Sequence, residues 1–198
     1  MAAEPERRIT VDGVALTLVV ERKRVKNVNA RLAGETLRVS APVAMAAARL
    51  DETIVELARR LLRRAHARRV NGEHDAVALA RRVARRFPTP PHVERVEFST
   101  AGESRWGSYS ATTRTVRLHA ALRHMQPWVL EAVVAHELAH TAHLDHSPAF
   151  WALARTACPD TDRARAFLAG VRWLARAWPT LPPVERALLA RTEVDAAS

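Results

Sequence analysis

Two histidines four residues apart, with a glutamate directly after the first, stand out in His136-Glu137-Leu138-Ala139-His140. At 3.6 residues per turn, positions four apart share one face of a helix, so both imidazoles can reach a single metal ion from adjacent turns. Glu137 then approaches a metal-bound water as a base instead of taking a coordination place. Zinc suits this donor set, since it accepts imidazole nitrogens at about 2.0–2.1 Å in a tetrahedral array and leaves one position for water. The chemistry implied is hydrolysis: water attacks a polarised carbonyl, Glu137 takes its proton, and the proton passes to the leaving nitrogen. A run of solvated histidines on a surface helix is the rival reading. It must explain why the rest of that helix is Val, Ala and Leu, where unpaired polar groups are costly to bury.

Three protein ligands are expected. His146 lies ten residues after His136, beyond a turn at Leu144-Asp145, and is the first candidate for the third. His143 competes if the helix continues past Ala142, and Asp145 is a further rival. Arg105, Tyr109 and His143 are candidates to donate a hydrogen bond to the transition state. Mn²⁺, Co²⁺ or Ni²⁺ suit the same ligands as Zn²⁺. Trp106, Phe150 and Trp151 read as packing residues.

The elements that must hold these residues follow from periodicity and punctuation. Pro127 suits the first position of a helix running to about Ala142. Ser147-Pro148 reads as N-cap and first residue of the next helix, which stops before Pro159. Further helices are expected from about Thr161 to Ala177 and from Pro183. Upstream, Val93–Ser99 and Thr113–His119 alternate like strands around a turn-rich Arg105-Trp106-Gly107-Ser108, and Thr115–Leu118 offers an edge for an extended peptide. Residues 9 to 41 read as an antiparallel hairpin or meander with a turn at Asp12-Gly13. Leu50, Ile54, Leu57 and Leu61 mark a helix from Ala44 to Val70, ended by Asn71-Gly72. A second helix spans roughly Asp75 to Phe87, and Pro88, Pro90 and Pro91 form the best candidate boundary.

The 198 residues suit one domain with an added subdomain, and with 48% apolar and 26% charged residues the chain is an ordinary globular one rather than a disordered or fibrous one. Cys158 is the single cysteine, so no intrachain bridge can form, and a reducing compartment is implied. No signal peptide or membrane span is visible, which makes a cytoplasmic protein the expectation. The net charge is +10, carried by arginine except for Lys23 and Lys26. Arg59, Arg60, Arg63, Arg64, Arg68 and Arg69 form a stripe that Arg81, Arg82, Arg85 and Arg86 repeat, and such a stripe can neutralise nucleic-acid phosphates. Against that stands a general preference for arginine, with aromatics not interleaved among these clusters. Nothing in the sequence sets an oligomeric state.

Arg105-Trp106-Gly107-Ser108, the strand through Val116 and Leu118, Pro127 and His136–Trp151 (HELAHTAHLDHSPAFW) together resemble the YgjP-like zinc metallopeptidases, relatives of the SprT and WLM groups of zincins. The resemblance implies an α+β, zincin-like fold with a small antiparallel sheet beside the active-site helix. It also implies His136, His140 and His146 as ligands of one Zn²⁺, Glu137 as general base, and a protein or peptide substrate. Three segments are expected to form one compact unit: an antiparallel β region over 1–43, an arginine-rich helical segment over 44–91 and the catalytic region over 92–198. Proteases acting on DNA-bound proteins occur among the SprT- and WLM-like relatives, so recruitment by DNA is an alternative. Hydrolysis of a phosphate ester or anhydride, as in a nucleotide, is another. A catalytically idle zinc module is the third, and Glu137 argues against it because a structural zinc needs no base.

Overall fold

Alternating apolar side chains build the first sheet of the computed structural model, which describes residues 2–3, 5–100 and 105–191. Its strands are β1 (Ala2–Ala3), β2 (Arg7–Val11), β3 (Val14–Lys23), β4 (Asn29–Ala33) and β5 (Thr36–Pro42). Asp12 and Gly13, at φ 50° and 80°, form the two-residue loop between β2 and β3. Left-handed backbone at both positions matches the twist of the flanking strands. The wholly antiparallel meander is corrected: β3 and β5 are parallel neighbours, from Thr17 opposite Thr36 to Lys23 opposite Pro42. β4 lies outside β5 as an antiparallel edge. Burial accounts for this order. Leu16, Leu18 and Val20 of β3 and Leu37, Val39 and Ala41 of β5 are buried, whereas β4 exposes Asn29, Arg31 and Ala33. The two most apolar strands therefore sit side by side in the interior, and residues 24–28 span two strand spacings, roughly 10 Å.

Helix α1 (Ala47–Glu73) buries Leu50, Ile54, Ala58 and Val70, and the first three join the β2, β3 and β5 side chains in one core. Arg22 ties the approach to α1 by donating to the Pro42 carbonyl at 3.2 Å and the Met45 carbonyl at 2.8 Å. The helix runs through Asn71-Gly72 instead of ending there. The Asn71 amide accepts from the Phe98 N–H at 2.7 Å and donates to the Phe98 carbonyl at 2.8 Å. That long-range pairing holds the side chain in place of a local turn.

The described chain groups into two compact units, 2–75 with 98–100, and 76–97 with 105–191. The division falls after Asp75, so the proline cluster at 88–91 lies inside the second unit. Helix α2 (Ala76–Ala84) belongs there because Ala76, Ala80 and Val83 are buried and it packs on α3 (Pro127–Ala139). A second sheet contains β6 (Arg95–Ser99), β7 (Gly107–Ser110) and β8 (Thr115–His119) in the order β6-β8-β7. β7 begins inside the segment read as a turn, with Gly107 opposite Leu118 and Ser110 opposite Thr115. The turn falls instead over 111–114, where Arg114 takes φ 44°. β8 is the middle strand, so it is not the free edge expected for an added peptide. Its Val116 and Leu118 are wholly buried, as a central strand requires, and β6 and β7 are the two edges.

Beyond β8 come a 3-10 turn (Ala120–His124), α3, α4 (Pro148–Ala157), α5 (Thr161–Ala177), a short turn (Trp178–Thr180) and α6 (Pro183–Arg191). Pro127 opens α3, and the Ser147 hydroxyl caps α4 by accepting from the Phe150 N–H at 3.4 Å. α3 ends at Ala139, three residues before the expected limit. There the Thr141 and Ala142 N–H groups bond back three residues, to Leu138 and Ala139, tightening the last turn.

Glu131 on α3 receives Arg82 at 3.1 Å and Arg86 at 2.8 Å. Burial alone would raise the Glu131 carboxyl, but these two hydrogen-bonding arginines win and hold it below its ordinary value. A lowered carboxyl stabilises the fold above its unfolded pKa and loses that contribution as pH falls through the folded one. Glu131→Gln is therefore expected to cost about 1 kcal/mol at pH 7, since the arginines are half-exposed and screened. Urea melts should show the difference shrinking below about pH 4. An equal cost at pH 7 and pH 3 would rule out the ion pairs as its source.

Candidate metal centre

Helix α3 is buried on nearly every side: Val129, Ala132, Val133, Val134, Ala135, Leu138 and Ala139 are all core residues. A helix so enclosed has no solvated face on which histidines would be idle. His136 and His140 leave it one turn apart, and the break after Ala139 lets the chain return so that His146 meets them. Among the described residues, these three form the cluster of metal-ligating side chains, with their ligand atoms all within 4.8 Å of one another. His136 Nε2 and His146 Nε2 are 3.1 Å apart, close to the roughly 3.3 Å edge of a tetrahedron of imidazole nitrogens around zinc. The donor set fits a single metal ion.

The expected rivals take other places. His143 contributes its backbone carbonyl, which lies 2.9 Å from His140 Nδ1. A carbonyl only accepts, so Nδ1 carries the proton and Nε2 keeps the free lone pair. Asp145 is exposed and acts on His140 only through its charge. Burial first, then the neighbouring His140 and His146 and the charge of Arg165, push His136 down to about 4. Burial also lowers His140, against the opposing pull of the His143 carbonyl. Both rings are thus neutral near pH 7, the form that binds metal.

Phe150 was legible only as core. It is wholly buried, and its ring lies beneath all three imidazoles, with centroids 4.8 Å from His136, 4.6 Å from His140 and 4.8 Å from His146. Trp151 is half-buried and stacks on His146 at 5.6 Å and 26°, while the Arg165 guanidinium covers the Trp151 ring at 4.0 Å. The signal available in sequence was position: Phe150 and Trp151 fall in the first turn of the helix that directly follows the third histidine.

Glu137 is 4% exposed. Burial pushes its carboxyl up to about 8, and the positive charge of Arg105 pulls the other way. Arg105 itself is exposed. Tyr109 lies on β7 opposite Val116 and, two residues from Gly107, leaves the same face of the strand. Trp106 sets its ring edge-on to His119 at 5.4 Å, and its carbonyl accepts from the His119 N–H at 2.7 Å. The arginine stripes are solvent-exposed, and part of each is engaged within the chain: Arg59 with Asp12, Arg69 with Glu73, and Arg82 and Arg86 with Glu131.

A model of the YgjP-like metallopeptidase domain matches residues 2–170. The chain belongs to this family. A YgjP-like metallopeptidase is a metal-dependent hydrolase of peptide bonds, and His136, His140 and His146 are a group that could hold a metal ion. The match covers both sheets and the helices through most of α5. Comparison with curated proteins and with solved structures returned no match. No helix among the described residues is long and apolar enough to cross a membrane.

Proposed function

We propose that this YgjP-like protein is a zinc peptidase in which His136, His140 and His146 hold one Zn²⁺ and Glu137 is the general base. The observation that carries the reading is the convergence of three imidazoles, with a buried glutamate on the helix from which two of them come. When bound, zinc supplies Lewis acidity toward the scissile carbonyl and makes water more acidic. Glu137 takes the proton of the attacking water on its carboxylate and delivers it to the leaving nitrogen. A carboxyl whose surroundings raise its proton affinity is a stronger base than a solvated one. Arg105 and Tyr109, on or beside the strand that faces Glu137, are the groups to steady charge developing on the substrate oxygen. His143 is left to orient His140 through its carbonyl. The free edge of β7 is the place for an extended peptide to pair.

The test is incubation of the zinc-loaded protein with an unfolded polypeptide, with new termini read by mass spectrometry. Cleavage is expected, lost on chelation and restored by zinc, while a nucleoside triphosphate in the same tube stays intact. Hydrolysis of the nucleotide without peptide cleavage would overturn the peptidase reading in favour of phosphate chemistry.

A further inference from the structure

We propose that Gly107 is a positioning residue for Glu137: the slot left by its missing side chain receives the glutamate. A Cβ built on Gly107 would lie 2.7 Å from Glu137 Cγ and 2.8 Å from Cδ, and closer still to Oε1. These separations are shorter than Cβ atoms tolerate. Gly13, Gly34, Gly72 and Gly170 would meet nothing within 4 Å, so among the described glycines the close approach is particular to this site. Backbone conformation does not explain the glycine, because the left-handed glycines are Gly13 and Gly34. Space explains it.

Neither partner can withdraw. β7 is held to β8 by the pairing of Gly107 with Leu118 and by the His119 N–H on the Trp106 carbonyl at 2.7 Å. Leu118 is wholly buried, as are Val134 and Leu138 on either side of Glu137 in α3. With strand and helix both anchored in the core, a methyl group at 107 must be absorbed by the Glu137 side chain, which rotates its carboxylate out of the slot. The three imidazoles need not follow, since their rings pack on Phe150 of α4. Gly107 thereby sets where the proton-accepting oxygen sits, without touching the metal ligands. This inference rests on Glu137 being the base.

In the zinc-loaded full-length protein, Gly107→Ala is expected to lower kcat by about 10²-fold, the order produced by an ångström of misplacement. KM and zinc content should stay near those of the parent. Shortening the carboxylate should compensate: Glu137→Asp is expected to cost markedly less in the Gly107→Ala background than in the parent. Activity of Gly107→Ala within threefold of the parent, or equal costs of Glu137→Asp in both backgrounds, would overturn the assignment. Where Glu137→Gln is inactive in the same assay, that failure belongs to Gly107 alone; where Glu137→Gln is active, the base reading has failed instead. If Gly107→Ala does not fold, the double variant Gly107→Ala/Glu137→Ala decides. Recovery of folding locates the clash between these two side chains and supports the proposal, and continued unfolding refutes it.

Discussion

Glu137→Gln is expected to keep the fold and the zinc while slowing peptide hydrolysis by about 10²–10⁴-fold, the usual share of a positioned acid–base group. Glutamine has the same shape, so it enters the space beside Gly107. Burial already penalises the charge of the parent carboxyl, pushing it up to about 8, so a neutral amide brings no new burial penalty. What the amide lacks is an oxygen that can take and return a proton. The histidines are untouched, and zinc content by atomic absorption should remain one ion per chain. Rates would be measured on a single peptide by the appearance of its free amine. A variant that cleaves at the parent rate with its zinc in place would remove Glu137 from the chemistry.

Phe150→Ala is the substitution expected to do most damage to the fold of the second unit. The ring is wholly buried, packing against all three imidazoles and edge-on to Trp151 at 5.0 Å. Truncating such a side chain costs about 3–5 kcal/mol through lost burial and the cavity left behind. The same deletion removes the floor on which His136, His140 and His146 converge, so metal binding should weaken along with stability. Denaturant melts with and without zinc separate the two effects. Added zinc stabilises the parent according to its affinity, and that increment should shrink in Phe150→Ala. A large loss of stability with the full zinc increment retained would make Phe150 a core residue and nothing more. Phe150→Leu keeps most of the volume and should fall between the two.

Features written in a few adjacent residues were legible. The His136–His140 spacing placed two ligand candidates on one helical face. Ser147-Pro148 marked the start of α4, and Asp12-Gly13 marked a left-handed hairpin loop. The same local reasoning stopped α1 at Asn71-Gly72 and missed the true stop, because two of the bonds that hold Asn71 are made with Phe98, 27 residues away.

Strand order was beyond it as well. Alternation shows that β3, β4 and β5 each have a covered face, but not which strands are neighbours. That was settled by how much apolar surface each strand had to bury, and it set the two most apolar ones side by side in parallel. Likewise Thr115–His119 reads as a strand from its own residues, while its central place, with β6 and β7 at the edges, depends on what pairs with it. The position of Phe150 beneath three imidazoles and the space beside Gly107 belong to the same class.

By itself, then, the sequence determined the chemical identity of the ligand candidates and the candidate base, the helix that carries His136 and Glu137 and the resemblance to the family. These rest on covalent order and the 3.6-residue period, which distant contacts do not alter. Only the tertiary structure decided that His146 and not His143 joins the pair, that an aromatic ring supports them and that a glycine makes room for Glu137. Those outcomes depend on close packing between elements far apart in the chain, where volume and hydrogen-bond satisfaction leave one arrangement.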